Sequence, residues 1–346
     1  MSSLRSPVAN VARKLVAALA TVGFVLVLNF FLFRVLPGDP ARAGVADPRL
    51  TEESIALLRT RFGLDRPVIN GIESLHPLRF GSFWINPLDT QFVRYLTNLA
   101  RGELGFSYHT NRPVAELLAE RLGNTLLLLA AGQILALVIG VALGAFAAAR
   151  GGGRADRATL VAGLVAWSLP SFWLAMVLLF LGATLFGLPL GGRAKPALDP
   201  GWLGRLVDLV RHLALPTLTF TVVYFGEYLL VTRSALLDVL SEDYVLVARA
   251  KGLTRRQVLW RHALRGAALP IVTLVALNLG LVVAGAVQIE MVFSWPGLGL
   301  AMYEAVVQRD YPVLQGVFLL LAVSVVLANL GVELLYPRLD PRTRAR

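Results

Sequence analysis

Long apolar runs that contain few charges dominate the pattern of this chain. An α-helix needs about 20 mostly apolar residues to cross roughly 30 Å of hydrocarbon. Six segments meet or nearly meet that requirement, and they are 15–33, 124–149, 158–186, 213–232, 266–289 and 311–332. The fourth contains a carboxylate, Glu227. The pattern predicts an all-α integral membrane protein with six transmembrane helices.

The composition favours a bilayer as the main solvent. Hydrophobic residues make up 56% of the 346 residues and charged residues only 16%, whereas a soluble domain is about a quarter charged. The net charge of +11 would suggest nucleic acid in a soluble chain. In a membrane protein, Lys and Arg instead fix the orientation and lie near anionic headgroups. No interleaving of basic and aromatic residues points to nucleic acid here.

The first apolar run is expected to stay as a membrane span. Arg13 and Lys14 precede it, as in a secretory signal peptide, but the run is longer than the usual core of about 7–15 residues. The Leu-Pro-Gly-Asp sequence at 36–39 predicts a turn and not a cleavage site.

The distribution of Lys and Arg predicts that both termini lie in the cytoplasm. With that orientation, four cytoplasmic segments hold 17 basic residues and two short outer loops hold 5. The cytoplasmic segments are 1–14, 149–158, 233–266 and 336–346, and the outer loops are 183–212 and 291–312. Segment 34–122 holds 11 more, but loops longer than about 60 residues have little influence on orientation.

The long outer segment has helical patterns of its own. Thr51 predicts a helix start and Gly63 its end, and apolar residues within 91–100 share one helical face. These stretches predict an extracytoplasmic cap between the first two spans. Two helices lying on the lipid surface are the alternative.

The last outer loop, 293–312, contains Trp295, which fits an interfacial aromatic belt, and a predicted helix at 300–308. The expected organisation has four parts. They are a tail with the first helix (1–34), an extracytoplasmic segment (35–122), a five-helix core (123–336) with a cytoplasmic loop (238–265), and a cytoplasmic tail (337–346).

Residues suited to catalysis or metal binding are scarce. The chain has no cysteine, and its four histidines, at 76, 109, 212 and 262, are not paired at metal-ligand spacing. No H-E-x-x-H, G-x-S-x-G or Walker-type glycine loop occurs. The sequence therefore predicts no catalytic or metal site, and any ATP would be handled by another chain.

The loop 238–265 predicts two short helices joined at a glycine. Ser241 is expected to cap the first helix and Gly252 to end it, because glycine adopts positive φ without a steric penalty. Thr254 and Gln257 have the spacing of a capping box for the second helix. These two helices and the turn between them, within 238–265, would form an elbow. The elbow would transmit force into the next span as a rigid body. The residues fit an amphipathic hairpin resting on anionic lipid equally well.

The same loop resembles the cytoplasmic EAA signature of permeases from binding-protein-dependent ABC importers. The resemblance rests on Asp243-Tyr-Val-Leu-Val-Ala-Arg-Ala-Lys-Gly252, then Leu253, and Leu269-Pro270 further on. The leading glutamate of the signature is absent. Five more fragments resemble the peptide/nickel branch, which includes dipeptide and oligopeptide permeases of the B type. They are Leu36-Pro-Gly-Asp-Pro40, Arg101-Gly-Glu-Leu-Gly105, Val292-Phe-Ser-Trp-Pro-Gly-Leu-Gly299, Arg309-Asp-Tyr-Pro-Val-Leu-Gln-Gly316 and Leu339-Asp-Pro-Arg342.

This resemblance implies a type I ABC importer permease fold in a bacterial or archaeal cytoplasmic membrane. It implies a second homologous permease, two ATP-binding subunits that hold ATP and Mg²⁺, and an extracytoplasmic substrate-binding protein. The chain itself would hold no cofactor and no ATPase site. The ATPase-coupling residues that it implies are Asp243, Ala248, Arg249, Ala250, Lys251, Gly252 and Leu253.

Three polar residues in or beside the spans are candidates for the translocation pathway: Glu227, Asn278 and Gln288. An intramembrane carboxylate is a functional hypothesis by default, although a structural role for Glu227 is the favoured interpretation. Di- or oligopeptides are the expected substrate, with nickel, glutathione and oligosaccharide as alternatives. An ion-coupled secondary transporter fits less well, since Glu227 stands nearly alone. An intramembrane hydrolase lacks paired catalytic residues.

Overall fold

A computed structural model describes residues 7–35, 66–75, 78–80, 88–193 and 201–339. Three features predicted from the sequence lie wholly or partly outside these residues. They are the helix at 51–63, the turn at 36–40 and the tail at 339–342.

Eleven helices and one strand pair make up the described chain. The helices are α1 (Pro7–Val35), α2 (Gln91–Ala100), α3 (Val114–Ala149), α4 (Arg154–Ser168), α5 (Ser171–Phe186), α6 (Gly201–Leu240), α7 (Asp243–Ala250), α8 (Arg255–Gly266), α9 (Ala268–Val292), α10 (Leu298–Gln308) and α11 (Tyr311–Leu339). Strands β1 (Ile72–Leu75) and β2 (Leu78–Phe80) pair antiparallel. The predominantly helical class predicted from the apolar pattern is confirmed.

Four of the described helices, α1, α3, α6 and α11, are long and apolar enough to cross a membrane. Two bent pairs also pass that test: α4 with α5, and α8 with the start of α9. The described residues therefore hold four candidate spans, or up to six if each bent pair is one span.

The third predicted span, 158–186, is not one continuous helix. Helix α4 ends at Ser168 and α5 begins at Ser171, and their axes differ by 98°. The break lies at Leu169, whose backbone is extended (φ −73°, ψ 131°). Pro170 is the cause, because its ring disfavours the helical region for the residue before it.

The chain divides into two compact units, Met1–Gly123 with Gly297–Leu327, and Asn124–Pro296 with Ala328–Arg346. In the first unit, the predicted apolar face of α2 packs on α1. The ring of Phe30 lies 5.1 Å from that of Phe92 and 5.3 Å from that of Tyr95. The predicted bounds of α2 are confirmed, and its apolar face is covered by a helix of the same chain.

In the second unit, helix α6 packs closely against α3 and α4 at glycine residues. A Cβ at Gly144 of α3 would lie 2.7 Å from the carbonyl oxygen of Leu229. A Cβ at Gly226 of α6 would collide with the carbonyl oxygen of Gly163 in α4. Small residues of this kind let helices in membranes approach closely.

Candidate functional site

Helix α7 forms the first arm of the predicted elbow, one turn after α6. It begins at Asp243, with Glu242 as its N-cap residue and no side-chain cap bond. The prediction that Ser241 caps this helix is wrong. The Ser241 hydroxyl instead donates to the carbonyl oxygen of Asp238 at 2.6 Å, which satisfies a group at the end of α6.

The turn between the two arms has the geometry predicted for a glycine. Gly252 has φ 81°, and no atom lies within 4 Å of the position a Cβ would take. Its N–H donates to the carbonyl oxygen of Arg249 at 2.9 Å, and the N–H of Leu253 donates to that of Ala248 at 3.4 Å. These bonds satisfy carbonyl groups at the end of α7.

The second arm, α8, begins with the predicted capping box. The Thr254 N–H donates to Gln257 Oε1 at 2.9 Å, and the Gln257 N–H donates to Thr254 Oγ1 at 3.3 Å. The next six residues, Val258–Ala263, form a π-helical turn. Turns of this wide type are rare in proteins, and those that occur often lie at functional sites.

Two buried apolar clusters fix the elbow to the ends of the neighbouring helices. Val245 and Ala248 of α7 lie in one cluster with Val258 of α8. A second cluster joins α8 to α3, α6 and Ala267, just before α9. A Cβ at Gly266 would lie 2.6 Å from the Tyr244 hydroxyl oxygen, so α7 also touches the end of α8. The elbow is thus packed as one body with the start of α9.

The other side of α7 is exposed although it is largely apolar. Tyr244 is 47% exposed, and Leu246 and Val247 are each 53% exposed. Five residues of the implied coupling set are exposed as well, namely Asp243, Arg249, Ala250, Lys251 and Gly252. The structure therefore places the coupling set together on one elbow, with Ala248 buried inside it and Leu253 half-buried.

A salt bridge fixes α4 to α6 in the same unit. Arg233 donates from Nε to Asp156 Oδ1 at 2.6 Å and from Nη2 to Asp156 Oδ2 at 2.7 Å. Asp156 is only 1% exposed, and it also accepts a hydrogen bond from the N–H of Gly152 at 2.9 Å. This bidentate geometry, with two hydrogen bonds between guanidinium and carboxylate, is the strong form of an Arg–carboxylate salt bridge.

Two of the three pathway candidates meet in a polar cluster between α6 and α9. The Asn278 amide donates to Glu227 Oε2 at 3.1 Å and to the Tyr228 hydroxyl at 3.2 Å. Gln133 of α3 donates to the same hydroxyl. Gln288 is not part of this cluster, since it is exposed and accepts a hydrogen bond from Ser171.

Two family descriptions match the chain. Residues 140–345 match the binding-protein-dependent transport system inner membrane component. Residues 8–129 match the N-terminal part of membrane components of such systems. The chain belongs to this family of inner membrane transport components. The resemblance drawn from the elbow sequence is thereby confirmed, and the chain is a multi-pass permease of the ABC importer class.

Similar proteins align with nearly the whole permease. A putative peptide permease protein of Brucella ovis is 37% identical over 92% of this chain and 93% of its own length. The dipeptide transport system permease protein DppB of Escherichia coli K12 is 34% identical over 96% of this chain and 98% of its own length. The glutathione transport system permease protein GsiC of Salmonella paratyphi A is 36% identical over 96% of this chain and 98% of its own length.

One fragment that carried the resemblance, Arg309–Gly316, contacts the turn at 107–109 through Asp310. This carboxylate is 2% exposed. It accepts hydrogen bonds from the Ser107 hydroxyl at 2.5 Å and from the N–H groups of Tyr108 at 3.1 Å and His109 at 3.2 Å. Asp310 was not among the candidate residues predicted from the sequence. The available signal was an Asp directly before the apolar run that starts at Tyr311, because Asp is a favoured N-cap residue.

Trp295 is buried and does not form an interfacial belt, so that prediction is wrong. The side chain is 0% exposed, and its Nε1–H donates to the carbonyl oxygen of Asn124 at 3.0 Å.

Close by in the chain, Glu290 is fully buried and accepts a hydrogen bond from the Thr125 hydroxyl at 2.6 Å. Glu290 was missed because the predicted span ended at residue 289, whereas α9 continues to Val292.

Proposed function

We propose that this permease forms half of the channel of an ATP-driven importer for di- or oligopeptides. Family membership supports the importer class. The similar proteins named as peptide and dipeptide permeases support the substrate class. Transport would proceed by alternating access between the two sides of the membrane.

The proposed topology has six transmembrane helices with both termini in the cytoplasm. The α4–α5 pair and the α8–α9 pair each count as one span, and the segment between α1 and α3 forms an outer cap. The excess of Lys and Arg in the segments assigned to the cytoplasm supports this orientation. It would place the elbow of α7 and α8 in the cytoplasm.

The exposed apolar side of α7 is the observation that carries the coupling proposal. Tyr244, Leu246 and Val247 are each about half exposed on a helix of eight residues. Exposed aromatic and aliphatic side chains at the tip of a compact projection are typical anchors for a partner protein. An ATP-binding subunit that receives α7 in a cleft would cover them.

The packing of the elbow supports its role as a lever. Closure of the ATP-binding subunits would move α7, and the buried clusters on α8 would pass that movement to α9. Rigid-body movement of packed helices is a common way for membrane transporters to alternate access. Gly252 provides the sharp turn without strain.

The proposed complex has three kinds of protein partner. A second homologous permease completes the channel, two ATP-binding subunits bind ATP and Mg²⁺, and an extracytoplasmic binding protein delivers the peptide. The permease itself carries neither the nucleotide site nor a cofactor in this scheme, and it acts as a transport subunit and not as an enzyme.

Glutathione is the second candidate substrate, because one similar protein is named a glutathione permease. Nickel and oligosaccharide are alternatives for the same machinery. In the part of the chain that the structure describes, no group of three or more His, Cys, Asp or Glu could hold a metal ion. The Glu227–Asn278 pair could contact a substrate, but its hydrogen bonds favour a structural role.

A purification from mild detergent tests this proposal. The tagged permease should bring with it a second permease and ATP-binding subunits. Vesicles containing that complex should take up a labelled dipeptide when ATP and the binding protein are supplied. A permease that purifies alone, and whose uptake follows an ion gradient without ATP, would overturn the proposal.

A further inference from the structure

A cavity of about 1080 Å³ lies beside the elbow in the second unit. Its walls come from the end of α3, the turn that follows, the start of α4, the end of α6, α7 and α8. Five arginines line it, and they are Arg150, Arg154, Arg249, Arg255 and Arg256. No Asp or Glu is among the lining residues. The cavity therefore has a strongly positive lining.

Acidic side chains of the described residues leave these arginines without an ion pair. None of the five forms a salt bridge with an acidic residue among the residues that the structure describes. The carboxylate nearest in sequence, Asp156, is occupied by Arg233. An anion in the cavity would meet five guanidinium groups, which bind phosphate oxygens in pairs of hydrogen bonds.

The other wall of the cavity is apolar. Ala142, Ala145 and Phe146 belong to α3, which contains one of the most apolar windows of the chain (mean hydropathy 2.6). The guanidinium of Arg150 lies 3.9 Å from the centre of the Phe146 ring. Trp260, 49% exposed, contributes a flat aromatic surface on α8. The cavity thus joins a cationic rim to an apolar helix face.

We propose that this cavity binds an anionic phospholipid of the cytoplasmic leaflet. The phosphate would lie among the arginines, and an acyl chain would lie along Ala142 and Phe146. The proposal rests on the orientation given under the proposed function, which puts the elbow at the cytoplasmic leaflet. Basic pockets between membrane helices on that side bind the headgroups of anionic lipids. An acidic protein surface would match the arginines, but it would leave the apolar wall of α3 without a matching partner.

The test compares two lipids that share their acyl chains and differ in the net charge and chemistry of the headgroup. The full-length permease, purified with its accompanying subunits and stripped of lipid, is titrated with phosphatidylglycerol or with phosphatidylcholine of the same acyl chains. Native mass spectrometry counts the lipids bound. The variant Arg150→Gln/Arg154→Gln removes two rim charges and leaves the coupling residues of the elbow intact. Arg265→Gln is the matched control, since it removes an exposed arginine of α8 outside the cavity.

We expect phosphatidylglycerol to bind in preference to phosphatidylcholine. The double variant should bind it about tenfold more weakly, because each basic residue near the headgroup contributes measurably, and Arg265→Gln should bind it as the wild type does. Equal binding of both lipids, or an unchanged double variant, would overturn the proposal. Displacement of the lipid by inorganic phosphate at equal concentration would also overturn it, because the apolar wall would then contribute nothing.

A further outcome separates a lipid from a protein occupant. If the double variant binds lipid normally but retains less ATP-binding subunit, the cavity belongs to the protein interface and the lipid proposal is wrong. Failure of the importer proposal would appear differently, as the absence of ATP-binding subunits from the wild-type complex.

Discussion

Val245 and Val258 lie in one buried cluster although they belong to the two helices on either side of Gly252. Their side chains are 0% and 1% exposed. This contact packs α7 and α8 against each other on the inner side of the elbow and leaves the outer side of α7 exposed.

The variant Gly252→Asp should insert normally but lose roughly tenfold in ATP-dependent uptake, a free-energy change of about 1.4 kcal/mol. The reason is a charged side chain at the tip of the elbow, together with strain at φ 81°. Uptake and ATP hydrolysis are measured in proteoliposomes. Gly102→Asp is the control, because Gly102 has φ 78° and equally open surroundings but lies outside the elbow. Equal loss in both variants would assign the effect to backbone strain.

The variants Asp156→Asn and Arg233→Gln should each lower the thermal unfolding midpoint, and the double variant should lower it by less than their sum. The coupling energy expected for this pair is roughly 1–3 kcal/mol, because Asp156 is buried and bound by two hydrogen bonds. Arg112→Gln serves as the control. It breaks the exposed pair with Glu120 and should have no measurable effect. Additive losses at Asp156 and Arg233 would contradict the pairing.

The variant Asn278→Leu should destabilise the protein by about 1–3 kcal/mol, since it leaves Glu227 and Tyr228 without the amide donor. Glu227→Gln should keep both assembly and dipeptide uptake near the wild-type level, because its amide oxygen can still accept from Asn278. Unfolding midpoints and uptake rates are compared. Loss of uptake by a stable Glu227→Gln complex would mean that the carboxylate acts on the substrate.

The variant Asp310→Ala should open the turn around residues 107–109, because it removes the acceptor of three hydrogen bonds. Hydrogen exchange of the Tyr108 and His109 amides should rise, since these groups lose their acceptor. Ser107→Ala removes one of the three bonds to Asp310 and also the bond that its hydroxyl accepts from the Thr110 N–H. It leaves the Tyr108 and His109 bonds to Asp310 in place, so exchange of those two amides should rise less. Unchanged exchange in Asp310→Ala would show that other contacts hold the turn.

Local features were predicted well because neighbouring residues determine them. The positive φ of Gly252 and the capping box at Thr254 follow from side-chain chemistry within a few residues. The bounds of α2 follow from its apolar face. Ser241 shows the limit of that reasoning. As a cap its hydroxyl would accept from a backbone N–H of α7, but it donates instead to the carbonyl oxygen of Asp238 at the end of α6.

Long-range features could not be predicted from the pattern. Trp295 finds its acceptor 171 residues away and Asp310 its donor 203 residues away. A rule that places tryptophan at the membrane surface contains no information on such partners. The break at Pro170 was foreseeable from the proline itself, but its angle of 98° depends on the packing of α5 against other helices.

The most direct test of the central claim is site-specific cross-linking from the elbow. The chain contains no cysteine, so one variant, Val247→Cys, introduces a single thiol on the exposed side of α7. Thr97→Cys, exposed on α2, is the control. The account predicts that Val247→Cys cross-links to an ATP-binding subunit in membranes, more strongly when ATP is bound, and that Thr97→Cys does not. A complex that contains ATP-binding subunits but gives no cross-link from Val247→Cys would contradict the assignment of α7 as the coupling helix.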